Sequence, residues 1–541
     1  MTGFIAFVVI YGVIKTRGTK DIDSYIRAGR KTPWLTITLS IMATQASGIT
    51  FLSTPGQAYV DGMRFVQIYL GLPIAMIILS ITAVPLYNKL NVYNAYEYLE
   101  KRFDLKNRTL SRQTSNYIIP QKWYACKKIT IILIGIAVIL YTTVGGTNAV
   151  NKTHIFQMVI ITAGMFSSFI VIYYLLPDDI SIIDAAYVAG KLGKLNAIDF
   201  TFDLSNRYTI WSGLIGGTFL SLSYFGTDQS QVQRYLAGSS VKDSRMGLLV
   251  NGLVKLPMQF IILFIGAMVF VFYQFITPPM FFNPVEEQNI KNSIYSSEYF
   301  ELEQEYKKIN SEKQTEIREM LVAIENDKET EVSKEVNDVL EKNDEAVKVR
   351  EDAISLIKDV NPDADTSDAN FIFITFIINF LPVGLVGLVL AAALSASMSS
   401  TSAELNALAS TTVIDIYKRM IRKDEKDEHY LKISKLSTVL GGIYAIIFAL
   451  FASELGSLVE AVNILGSLVY GTILGIFLVA FYLKKISGNA TFYSALIAEI
   501  VVLYCYLFTS IPFLWYNVIG CLLVIIVARV LTLFLPNAVN T

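Results

Sequence analysis

Apolar runs of roughly membrane-spanning length recur along the whole chain, and they restrict its fold more than any other feature. They cover 1–14 (short), 34–54, 65–88, 128–146, 153–176, 208–228, 246–276, 370–414, 432–453, 457–483, 490–511 and 514–535. Most are near the ~20 residues that a spanning helix needs. Backbone groups in lipid must be satisfied within the segment, so these runs predict helices. Ten-residue alternating strands, the mark of an outer-membrane barrel, do not occur. The expected fold class is an all-α polytopic membrane protein of about twelve helices.

Composition supports this and removes other classes. Hydrophobic residues make up 53% and charged residues 17%, and mean hydropathy is +0.47. That excludes a disordered chain and disfavours a cytosolic enzyme. His154 and His429 are the only histidines, which excludes a histidine-based zinc or catalytic site. Cys126, Cys505 and Cys521 lack metal-ligand spacing and read as small apolar residues. No enzyme and no nucleic-acid partner are expected, because bases sit in short loops rather than on one face. The first run, Phe4–Ile14, has no basic flank before it, so no cleavable signal peptide is expected.

Loop charges set the orientation. Lys15, Arg17, Lys20, Arg27, Arg30 and Lys31 make the first loop cytoplasmic, and seven bases against four acids do the same for 416–435. Residues 177–207, with five acids and three bases, read as outside. Residues 281–368 hold 24 of the 46 acids and 11 of the 45 bases, and also read as outside. Their Glu, Lys, Leu and Val content, with two prolines, one near each end, and no glycine, predicts a helical hairpin that is solvated and accessory. A parity conflict remains. The stretch 89–128 is basic and belongs inside, yet two spans later the acidic 177–207 loop would be inside as well. One more crossing between 110 and 128 would resolve this. Pro120, Gln121, Lys122, Lys127 and Lys128 make that stretch too polar to span, since each Lys at the bilayer centre costs roughly 2.5–3.5 kcal/mol.

Two segments carry polar residues where a plain span should not. In Ser40–Gly56, the residues Thr44, Gln45, Ser47, Gly48 and Thr50 cluster at mid-membrane, and Pro55-Gly56 is expected to end the helix. A helix unwound there exposes carbonyl oxygens, which is tolerable if they line a cavity or bind an ion. In Ala391–Asn406, Ser395, Ser399, Ser402 and Asn406 share one helical face. Small-residue helix packing accounts for either segment alone. Together they supply the neutral oxygens that a hard monovalent cation takes.

These residues resemble the sodium/solute symporter family, which includes sodium–glucose, proline, sialic acid and iodide/vitamin carriers. The matching pieces are Ile26-Arg-Ala-Gly-Arg30, Ala43-Thr-Gln-Ala-Ser47 with Phe51-Leu-Ser-Thr-Pro-Gly-Gln-Ala-Tyr59, Tyr96-Glu-Tyr-Leu-Glu-Lys-Arg-Phe103 and Tyr141-Thr-Thr-Val-Gly-Gly146. Tyr224-Phe-Gly-Thr-Asp-Gln-Ser-Gln-Val-Gln-Arg-Tyr-Leu236 and the block Ser399-Ser400, Asn406, Asp415-Ile-Tyr-Lys418 follow in the same order. The resemblance implies an inverted repeat of five plus five helices around a midplane site, with the first core helix broken. The organisation it implies is a leading helix and core helices one to seven over 1–280, the insert at 281–368, core helices eight to ten over 369–485, and two trailing helices over 486–541. The third core helix is missing between Arg112 and Ile129.

The resemblance also implies a sodium site at Ala43, Ala46, Ala396, Ser399 and Ser400. A second site of some members would need an aspartate where this chain has His154, and two hydroxyls where it has Ser402 and Ala403; it is expected to be absent. Substrate positions fall on Gln45, Thr50, Tyr69, Ser221, Tyr224 and Lys255. Thr50, Tyr69, Leu72 and Ser221 replace sugar-binding residues, which disfavours glucose or galactose. A lysine within a span is functional by default. Tyr224 can equally be ordinary aromatic packing. Asp228, Gln231 and Arg234 read as anchors of a cytoplasmic helix end. The expected function is sodium-coupled symport of a small organic solute or anion by a multi-pass protein of a cell membrane, bacterial and inner. Its partners would be sodium, the solute and lipid. The alternative is a sensor-like or inactive homologue on the same scaffold.

Overall fold

The computed structural model describes residues 2–16, 21–90, 92–103, 125–326, 328–362, 364, 366–451 and 458–535. Helices make up almost all of it, and no strand forms among the described residues beyond one isolated bridge, Thr32 to Gly238. Eight helical stretches of the described residues are long and apolar enough to cross a membrane.

Three breaks depart from the expected spans. The first core helix divides into Trp34–Gln45 and Gly48–Asp61. Pro55-Gly56 lies inside the second piece and does not end it. Gly56 abuts the Ala369 carbonyl, and Gly266 abuts the Pro55 carbonyl. Those backbone contacts hold the proline within the helix, where its missing N–H loosens one turn. The expected single span 370–414 is two helices, Ala369–Phe380 and Val383–Thr411, parted at Leu381-Pro382. The residue before a proline is pushed out of the helical region, and Leu381 is extended, with ψ 144°. The spans 128–146 and 153–176 form two limbs of Ala125–Leu175, reversing at Gly146, whose φ is +53°. Only glycine adopts that conformation at little cost, and a Cβ there would also meet the Tyr25 carbonyl.

Packing assigns the two faces of the molecule. On one face, Thr147 Oγ1 donates to the Ile26 carbonyl at 2.5 Å, Asn94 Nδ2 to Asp415 Oδ1 at 2.6 Å and Arg102 to the Lys484 carbonyl at 2.6 Å. The basic loops therefore gather there. On the other face, Met63 N donates to the Lys194 carbonyl at 2.9 Å, and Arg207 pairs with Glu460 at 2.6 Å. The acidic 177–207 loop thus lies opposite the basic loops, as its charge predicts. Gly146 packs on Tyr25 at the basic face. The limb before it runs antiparallel to Asp427–Phe451, with Gly135 against Ile446 and Gly442 against Ile139. That limb therefore starts at the acidic face, whereas Phe103 ends its helix on the basic one. The expectation that 110–128 does not span, and that a core helix is missing there, falls largely on 104–124, which lie outside the described residues.

The 281–368 segment contains a short helix, Pro284–Lys291, and a hairpin of Ser296–Glu325 and Glu329–Val360. It is less detached than its charge suggests. Ile317, Met320 and Val339 are buried in the same apolar cluster as Met268, Tyr273 and Phe376 of the body. Arg318 pairs with Asp179. At its base, Phe282 N donates to Asp368 Oδ2 at 2.8 Å, and Arg350 pairs with the other oxygen at 2.5 Å. Replacing 284–360 with a short Gly/Ser linker should lower the melting temperature while leaving sodium binding intact. Loss of the sodium response in a correctly inserted variant would show that the hairpin belongs to the transport cycle.

Candidate ion and substrate site

The break in the first core helix follows from its own sequence. Ser47 caps the second piece, its Oγ accepting from Thr50 N at 3.3 Å. Thr50 Oγ1 donates to the Gln45 carbonyl at 3.2 Å and Ser47 N to the same oxygen at 2.8 Å. Small polar side chains here compete with the helical ladder and offer it a different set of partners. Ala46, with ψ 68°, stands at the gap itself.

The Val383–Thr411 helix passes beside this gap. Ser399 Oγ is 2.8 Å from the Ala43 carbonyl and 2.8 Å from the Ala396 carbonyl. One hydroxyl proton serves only one of two acceptors at a time. Ser400 Oγ donates to the Ala396 carbonyl at 2.9 Å. Four of the five expected ion ligands are thus linked by hydrogen bonds, and Ala46 lies at the adjoining break. Two carbonyls and two hydroxyls make a neutral, hard-oxygen cluster of the kind that suits a small monovalent cation. Ser395, Ser402 and Asn406 lie buried on the same face. Asn406 Nδ2 donates to Thr147 Oγ1 at 2.6 Å.

His154 is fully buried between the two helices. Its Nε2 lies 3.1 Å from the Ser399 carbonyl, and its Nδ1 lies 3.0 Å from Ser40 Oγ. Nδ1 also lies 3.2 Å from the Ser40 carbonyl, so each ring nitrogen faces a backbone acceptor. Ser402 Oγ donates to the same Ser399 carbonyl at 2.9 Å, and Ala403 beside it offers no hydroxyl.

Below the break a cavity of about 470 Å³ opens, a size that suits a small organic molecule. Gln45, Thr50, Tyr69, Ser221, Tyr224 and Lys255 all line it, as do Leu72 and Ser400. The fold therefore brings every expected substrate position to one space, next to the serine pair. Tyr224 accepts a hydrogen bond from Gln231 Nε2 at 2.7 Å, and its ring lies 6.0 Å from that of Tyr470. Asp228 caps the short helix Gln229–Leu236, and its Oδ2 accepts from the Tyr470 hydroxyl at 3.1 Å. Arg234 is buried, donating to the Ser230 carbonyl at 3.1 Å and to Asn151 at 3.3 Å. These bonds fit the anchoring role expected for Asp228, Gln231 and Arg234.

Glu404, Asn463 and Tyr470 also line the cavity, and sequence reasoning does not reach them as site residues. Glu404 lies within the polar segment, where the serines alone match an ion site. Asn463 is an amide within the apolar helix Leu458–Tyr482, and that polar residue in an apolar run is the signal that could have found it.

A broken helix facing a serine pair beside a cavity is the arrangement that a cation-coupled transporter would need. The family pattern described as the sodium:solute symporter family matches residues 25–119 and 356–498. It is 24% identical over 558 residues to the sodium/sialic acid symporter SiaT of Proteus mirabilis, covering 99% of this chain and 94% of that protein. A sodium/sialic acid symporter of Aliivibrio fischeri matches similarly, at 24% over 99% of this chain and 93% of its own length. The sodium-coupled monocarboxylate transporter 1 of Xenopus laevis is 31% identical over 46% of this chain and 42% of its own length. A solved structure of a Na+-coupled sialic acid symporter, substrate-bound and outward-open, superposes with a TM-score of 0.74 at 21% identity. The match covers 100% of this chain and 98% of that one, so the fold is shared from end to end. Sodium-coupled symport by alternating access is the function these relatives support, with sodium as the coupling cation, in a multi-pass membrane protein.

Proposed function

We propose that Ala43, Ala46, Ala396, Ser399 and Ser400 bind one sodium ion, and that the adjoining cavity binds a small organic solute through Gln45, Thr50, Tyr69, Ser221, Tyr224 and Lys255. The observation that carries this reading is the Ser399 hydroxyl, held between carbonyls of two helices across the break. A cation there joins the two helices, so its binding favours one arrangement of the core over another. Ser400 lines the cavity as well as the cluster, which supports a solute bound beside the ion. Lys255 is buried, with no carboxylate within 4.0 Å among the described residues, so an anionic group on the solute would complete it. The relatives named for sialic acid and monocarboxylates carry acids of this kind. The cavity brings binding groups together beside the ion cluster, which supports transport by sodium-coupled symport.

Sodium-driven uptake into vesicles, with a panel of labelled carboxylates, sugars and amino acids, tests the reading. No sodium-dependent uptake of any of them would favour the sensor-like alternative. With His154 in place of a second ion, one sodium should move per turnover, and the Hill slope for sodium should be near one. A slope of two would place a second ion in the cycle and show that His154 does not stand in for it.

A further inference from the structure

The cavity has one basic and one acidic residue on its wall. Lys255 comes from Val241–Phe275, and Glu404 from Val383–Thr411. They do not pair with each other within 4.0 Å, nor does either meet another opposite charge at that distance among the described residues. Glu404 also lines a second space of about 300 Å³, shared with Asp228 and Ser230 and lying toward the basic face. It therefore stands at the inner end of the substrate cavity. Its charged neighbours are Asp228 and Arg234, and the Ser230 side chain meets its carboxyl. Asp228 is already satisfied, with Oδ1 accepting from Ser230 N and Oγ at 2.8 Å each and Oδ2 accepting from Tyr470. Arg234 directs its hydrogens to Ser230, Asn151 and Gln233. With its acids ionised this end would carry one negative charge in excess, and an ionised Lys255 one positive charge on another wall. Ionisable groups in a membrane interior are retained where a partner or a ligand meets them.

We propose that Glu404 binds a cationic group of the substrate, so that the solute is a zwitterion with its acid at Lys255 and its ammonium at Glu404. This rests on the reading that the cavity beside the serine pair is the substrate site, and it adds the residue that selects among acids. A simple carboxylate would leave Glu404 facing an anion. A neutral sugar would leave both charges unmet, which costs affinity because the buried Lys255 would gain no partner.

Thermal stability of the full-length protein in detergent tests this, in sodium chloride and in choline chloride. The probes are L-proline, L-alanine and glycine betaine as zwitterions, lactate and propionate as plain acids, ethylamine as a plain cation, and galactose. At least one zwitterion should stabilise the protein in sodium, with the acids, the amine and the sugar weaker by tenfold or more. Glu404→Gln should weaken that zwitterion at least tenfold and narrow its advantage over propionate, while the stabilisation by sodium alone persists. That persistence shows the variant is folded. Glu404→Asp, which keeps the charge, should recover part of the affinity. Stabilisation by sodium alone together with silence from every zwitterion, or an unchanged affinity in Glu404→Gln, overturns the proposal and leaves symport standing. A Glu404→Gln variant altered only in its sodium dependence makes Glu404 an ion ligand and also overturns it. Absence of any sodium effect in the wild type overturns both readings.

Discussion

Ser399→Ala is expected to weaken sodium by roughly 1–3 kcal/mol, or about 5- to 150-fold in half-saturation. The hydroxyl lies 2.8 Å from both the Ala43 and Ala396 carbonyls. Alanine leaves those oxygens in place and removes the ligand between them. The site is buried, so water does not readily replace what is lost. The backbone of Ser399 also accepts from His154 and Ser402, and those bonds survive the substitution. The fold should therefore persist while the ion response falls. Ser399→Thr keeps the hydroxyl and should retain more affinity than alanine. Sodium titration of transport or of thermal stability measures both variants. An unchanged half-saturation in Ser399→Ala would falsify the assignment of this serine to the ion.

Gly56→Ala should have its large effect on stability instead. Its Cβ would overlap the Ala369 carbonyl oxygen and lie 2.9 Å from the carbonyl carbon. Both are backbone atoms, so no side chain can swing aside. Overpacking of this kind costs about 1–3 kcal/mol and at times more. On the other side of the same turn, Gly266 abuts the Pro55 carbonyl, which closes the direction of retreat. The helices Gly48–Asp61 and Ala369–Phe380 would have to separate. A fall of several degrees in melting temperature is expected, with lower yield of folded protein. A variant that melts with the wild type would mean that the two helices do not approach this closely.

The sequence by itself determined the parts of this protein that the bilayer decides locally. Lipid offers no hydrogen-bond partners, so each apolar run had to be a helix, and its length could be read directly. Loop charge fixed which face is which, down to the acidic 177–207 loop, because charge acts on each loop separately. The break near Ala46 was legible for the same reason: Ser47 and Thr50 are close enough in sequence to replace the helical ladder there.

Only the tertiary structure decided the rest. Pro55-Gly56 reads as a helix end by local preference, yet the carbonyls of Ala369 and Pro55 pack it into a continuing helix. The 370–414 run reads as one span, yet Leu381-Pro382 divides it. Which polar side chains meet in the cavity depends on how each helix is rotated, and no local pattern fixes that. Ser399 meets Ala43 across 356 positions of sequence, and His154 reaches Ser399 across 245. Glu404 lies one helical turn from Ser400 on the same cavity wall, yet it also meets Asp228 and Arg234. Hydropathy and charge act on each segment alone, whereas a binding site is made where segments distant in sequence are packed together.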